Sequence, residues 1–133
     1  MAIKGSCCCG EVQFELKNQP AMMGTCHCSR CRKVGAGNMV FIKKDDLVWK
    51  SGKDAISVFE PAEGYKYPRC FCSKCGTALG EILAESETFP ISAHALDDEI
   101  DVTNSFHEFV SEKPSWSHIG DDAKQFEGHP VQE

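Results

Sequence analysis

The sequence predicts an all-β protein: a small, zinc-stabilised arrangement of short antiparallel strands with little helix. Three observations carry that prediction. Apolar and polar residues alternate, or cluster briefly, in short runs separated by Gly, Pro, Ser and Asp. No window of about a dozen residues keeps the 3.6-residue apolar period of a helix. All nine cysteines lie in three tight clusters, and a small chain gains stability from metal held by such clusters.

The elements follow in order. Residues 11–16 (EVQFEL) alternate polar and apolar throughout, the period of a half-buried strand. Residues 38–43 (NMVFIK) form a more continuous apolar run, as a central strand does. Residues 46–50 and 55–59 are two further strands separated by the turn signal Ser51-Gly52-Lys53-Asp54. Residues 65–71 run extended into a cysteine cluster, and 79–83, 89–93 and 105–110 complete the set. Helix is confined to short turns near 29–34 and Asp45. The tail from about residue 111, with Pro114, Gly120, Gly128 and Pro130, is expected to be irregular and pinned by Trp116 and Phe126. Residues 1–133 make one domain at this length.

Net charge is −6, from 14 basic and 20 acidic residues. That opposes a general nucleic-acid role, which needs a basic surface. The N-terminal residues carry no apolar run of the secretory kind, and no stretch approaches the ~20 apolar residues of a membrane span. The chain therefore reads as soluble and cytoplasmic. In a reducing compartment clustered cysteines are metal-binding or catalytic rather than disulfide-bonded.

Cys26-His27-Cys28-Ser29-Arg30-Cys31 and Cys70-Phe71-Cys72-Ser73-Lys74-Cys75 share one pattern, C-x-C-S-basic-C. The second copy exits through Gly76, which lets the chain turn without a Cβ clash. It resembles half of a structural zinc site, completed by Cys7 and Cys9; residues two apart in an extended segment face the same way, leaving Cys8 opposite. Cys7, Cys9, Cys72 and Cys75 thus make one closed metal site. The first copy exits into Arg32 and Lys33 instead. Cys26, Cys28 and Cys31 offer three thiolates and no assigned fourth ligand, the description of an open, catalytic site suited to holding an incoming thiol. Closure by Cys70, His27 or another histidine would make that site structural as well. Cys8 and Cys70 are otherwise free thiols, and His94, His107, His118 and His129 show no ligand spacing and read as surface or core-edge residues. Lys43-Lys44 and Asp97-Asp98-Glu99 read as solvated turns. Trp49 and Trp116 read as core, although Trp116 in an irregular tail could line a pocket.

Gly5-x-Cys7-x-Cys9-Gly10-x-Val12-x-Phe14, Cys26-His27-Cys28-Ser29-x-Cys31-Arg32-Lys33 and Phe71-Cys72-Ser73-x-Cys75-Gly76-Thr77-x-Leu79 resemble the glutathione-dependent formaldehyde-activating enzyme family. The likeness continues through Leu96-Asp97-Asp98, Phe106-His107 and the Trp116 segment. The resemblance implies a β-tent fold and two zinc ions per chain. One is structural at Cys7, Cys9, Cys72 and Cys75, and one catalytic at Cys26, Cys28 and Cys31. It also implies a carbon–sulfur lyase acting on adducts of glutathione, or a similar thiol, with formaldehyde or another small aldehyde. Arg30, Arg32 and Lys33 would attract the glutathione carboxylates. The competing expectation is a non-catalytic, zinc-stabilised protein-binding module with two closed sites.

Overall fold

The computed structural model describes residues 2–35 and 37–130. In chain order its elements are β1 (Ile3–Ser6), β2 (Gln13–Leu16), β3 (Met22–Cys26), α1 (Ser29–Lys33), β4 (Asn38–Lys43), β5 (Leu47–Ser51), β6 (Ile56–Phe59), β7 (Arg69–Cys72), β8 (Ala78–Gly80), β9 (Thr88–Ser92), β10 (Asn104–Glu108) and β11 (Lys124–Gln125). The fold is all-β, built from short strands in three small sheets: β1-β2-β5, β11-β10-β3-β4-β9 and β6-β7-β8. Among the described residues every pairing is antiparallel except the two made by β10, which runs parallel to both β3 and β11.

The alternation of residues 11–16 is realised in β2: Phe14 and Leu16 are buried while Gln13 is exposed. The apolar run of β4 lies between β3 and β9, with Val40 and Ile42 buried. These side chains join Val12, Leu79, Ile82, Phe89 and Ile91 in a core to which all three sheets contribute. Although close in sequence, β5 and β6 belong to different sheets, and the turn between them carries the chain from one to the other.

Two strands carry no alternation signal because a glycine sits where an aromatic ring needs the space. A Cβ on Gly24 of β3 would lie 2.2 Å from the Phe106 ring, and one on Gly5 of β1 would lie 2.2 Å from the Phe14 ring. In sequence both glycines read as punctuation; in the fold they mark close approach. Asp97 and Asp98 are more than solvated turn residues: Ser6 Oγ donates to Asp97 at 2.7 Å and the Lys4 amide to Asp98 at 2.8 Å, fastening β1. The tail departs from expectation at Trp116, which is 75% exposed and pins nothing. The fastening comes from β11, from the Phe126 amide to the His107 carbonyl (2.8 Å), and from Asp121. No helix among the described residues is long and apolar enough to cross a membrane.

Candidate metal centres

The Cys7, Cys9, Cys72 and Cys75 sulfurs all lie within 4.8 Å of one another. Cys7 Sγ is 3.6 Å from Cys9 Sγ, and Cys9 Sγ is 3.9 Å from Cys72 Sγ. A tetrahedron with Zn–S bonds of about 2.3 Å has edges of about 3.8 Å, so the donor set fits a zinc ion. The N-terminal half of the group is not extended as expected. Cys7 to Gly10 form a turn, closed by the Gly10 amide on the Cys7 carbonyl at 3.0 Å. The turn still brings Cys7 and Cys9 together and leaves Cys8 exposed. The Gly76 exit behaves as read: φ is +79°, and the Gly76 amide reaches the Cys72 carbonyl at 2.8 Å. Neutral donors serve the sulfurs. The Val12 amide lies 3.2 Å from Cys7 Sγ and the Thr77 hydroxyl 3.2 Å from Cys75 Sγ. Chiefly through Thr77, the Cys75 thiol is drawn down to about 5.

Cys26, Cys28 and Cys31 form the second group, again within 4.8 Å of one another. Cys26 ends β3, and Cys28 caps α1 by accepting the Cys31 amide at 3.3 Å. Three contacts from distant sequence hold the segment: the Cys26 amide on the Gly37 carbonyl (2.8 Å), the His27 amide on the Glu108 carbonyl (2.9 Å), and the Ser29 amide on the Glu112 carboxylate (3.0 Å). Among the described residues no other Cys, His, Asp or Glu joins this group. Cys70 does not close it. That thiol is buried beside the backbone of Ile82 and Leu83, and burial pushes its pKa up. Three thiolates with a free corner fit zinc in the open arrangement.

Sequence reasoning missed the surroundings of this group. Arg69 places Nη1 3.4 Å from Cys31 Sγ. Hydrogen bonding with Cys26 first, and then with Arg69, overcomes burial and holds the Cys31 thiol down to about 5. Burial raises the carboxyls of Glu81 and Glu108, the latter beside Cys26. His107 is buried, against expectation. Its Nδ1 is 2.8 Å from His27 Nε2, and its Nε2 is 2.8 Å from Asp121 Oδ1. With Asp121 ionised, a neutral His107 donates from Nε2 and accepts at Nδ1, so His27 donates from Nε2. Burial first, and then the neighbouring His107, keep His27 below its ordinary pKa. The network continues from the Thr25 hydroxyl to Asn104 (3.0 Å) and from Asn38 to Thr25 (2.9 Å). A cleft of about 200 Å³ opens on these groups, lined by Cys26, His27, Arg32 and Asn38, with Trp116 on its wall. Arg30 points elsewhere: its guanidinium stacks 3.9 Å from the Tyr65 ring centre. Only sequence-distant pairing brings Arg69, His107 and Asp121 here, and no local spacing marks them.

An all-β chain with two separate cysteine groups, of four and of three sulfurs, defines a class of protein that could hold metal ions. The chain belongs to the glutathione-dependent formaldehyde-activating enzyme family, whose sequence model matches residues 2–112. Both cysteine groups, Arg69 and His107 fall inside that span, and Asp121 beyond it. A Halomonas elongata protein, provisionally named a glutathione-dependent formaldehyde-activating enzyme, is 29% identical over 144 residues, covering 98% of this chain and 90% of the relative. A crystal structure of a Rhodobacter sphaeroides protein is similar with a TM-score of 0.58 and 26% identity, covering 74% of this chain and 91% of that one.

Proposed function

We propose that the chain makes or breaks the carbon–sulfur bond between a thiol such as glutathione and formaldehyde or another small aldehyde. The observation that carries this reading is the three-sulfur group of Cys26, Cys28 and Cys31, with no fourth donor among the described residues and with Cys26 lining a cleft. Zinc held there would supply Lewis acidity at its open position, favouring the thiolate form of an entering thiol. Cys7, Cys9, Cys72 and Cys75 would hold the second, structural zinc. The chain's own residues do the rest. Arg32, on the cleft wall, attracts a carboxylate of the thiol substrate. Arg30 is engaged by Tyr65 and takes no part. Trp116 offers a flat apolar face beside the opening. The His107–Asp121 pair fixes the His27 ring at the cleft edge.

The test is the rate of hydroxymethyl adduct formation at matched thiol and formaldehyde concentrations. Zinc-loaded protein must exceed the spontaneous rate, and identical rates would remove the formaldehyde reading. The binding-module alternative draws on the exposed aromatic residues Phe59, Tyr65 and Tyr67, but it requires a fourth protein donor at the second group. None of the described residues supplies one.

A further inference from the structure

The guanidinium of Arg69 has an unusual set of neighbours. Its Nη1 lies 3.4 Å from Cys31 Sγ, within sulfur hydrogen-bonding range. Its Nε is buried with no partner. No carboxylate among the described residues reaches ion-pair distance of it; Glu81 feels its charge from farther off. A cation withdrawn from water is costly unless an anion offsets it. The anion in hydrogen-bonding reach here is the Cys31 sulfur.

Charge balance gives that contact a purpose. Three thiolates exceed the charge of one zinc ion by one, so the bound centre would be anionic and would repel a second anionic sulfur. One fixed guanidinium cancels the excess. A donor to a ligating sulfur also draws electron density from that sulfur, and partners of metal ligands generally orient the ligand and tune the metal. Among the described residues no cation hydrogen-bonds a sulfur of the four-sulfur group. Lys74, which feels the Cys9 and Cys72 sulfurs, is solvent-exposed and pairs with Glu11 at 3.0 Å.

We propose that Arg69 is a positioning residue of the three-cysteine centre, holding the Cys31 sulfur toward bound zinc and neutralising the excess charge of the assembly. The four-residue strand β7 would then serve both centres. Its side chains alternate faces, so Arg69 at one end reaches one group while Cys72 at the other end enters the other. This inference rests on reading Cys26, Cys28 and Cys31 as a metal site, but it does not depend on the aldehyde chemistry.

The experiment uses full-length protein loaded with cobalt in place of zinc, comparing the native chain with Arg69→Gln and Arg69→Lys. The spectrum of the four-sulfur site, taken from Cys28→Ser, is subtracted. In Arg69→Gln the three-cysteine centre should lose metal to a chelator with an affinity about 10- to 100-fold weaker. Its sulfur-to-metal charge-transfer band should move to lower energy, with the four-sulfur site unchanged. Arg69→Lys, which keeps the charge without the planar fork, should recover much of the retention. Equal retention and an unmoved band in Arg69→Gln would overturn the proposal, and so would equal losses at both sites. If Arg69→Gln fails to fold, Arg69→Met is read in the same way, and equal retention with an unmoved band there overturns the proposal. A native chain that takes up one metal ion per molecule removes the metal reading itself; two ions with an indifferent Arg69→Gln remove only the role of Arg69.

Discussion

At Cys72-Ser73-Lys74-Cys75 the chain turns back through Gly76, and at Cys28-Ser29-Arg30-Cys31 the same pattern opens α1 instead. The first arrangement meets two more sulfurs from the N-terminal turn. The second meets a guanidinium, a pair of histidines and a cleft. Their upstream cysteines differ for a geometric reason. Cys70 and Cys72 lie two residues apart within continuous β7, where the strand rise separates them by about 6.8 Å. Cys70 lies beside the backbone of Ile82 and Leu83 and does not join the four sulfurs. Cys26 is the last residue of β3. The chain then leaves the strand and folds Cys28 back within reach. Like motifs acquire different surroundings from where the strand stops.

If one group folds the chain and the other does its chemistry, substitutions should separate along that line. The largest expected effect is Cys72→Ser. It removes a fully buried member of the four-sulfur group and, with it, metal binding that counts directly as folding free energy. Cooperative thermal unfolding followed by circular dichroism should disappear. Cys28→Ser should instead return adduct formation to the spontaneous rate while the chain still unfolds cooperatively, which a paired melt and rate assay would check. His107→Ala leaves Asp121 and His27 without their partner; a shift in denaturant midpoint equivalent to about 1–3 kcal/mol is expected. His94→Ala, at an exposed ring, should cost less than about 0.5 kcal/mol. On the folding half, Gly76→Ala should cost far less than Cys72→Ser, about 1–2 kcal/mol from the left-handed backbone alone, since nothing obstructs a Cβ there. A Gly76→Ala variant as damaged as Cys72→Ser would show that the turn, rather than the metal, dominates that region.

Much of the fold, and the gathering of two sulfur groups, was legible in the sequence. Alternation exposed β2, an apolar run exposed β4, and the cysteine spacing partitioned the seven sulfurs that the structure gathers. Local pattern failed where the cause was distant. Gly24 hides β3 because Phe106, from β10, lies over it. The pairing of β10 beside β3 also brings His107 to His27, and that contact leaves no trace in spacing. Arg69 stands immediately before the second hexapeptide, yet only the sheet arrangement aims it at the first. Of the two readings of Trp116, core anchor and pocket lining, the structure takes the second: the ring is exposed on the cleft wall.

The asymmetry between the two centres is tested most directly by zinc-edge X-ray absorption on the purified, metal-replete protein, with and without glutathione. Two zinc ions per chain, averaging three and a half sulfurs each as the mean of four and three, are predicted, rising toward four when glutathione is added. Four sulfurs around every zinc before any thiol is added, or a single zinc per chain, would contradict it.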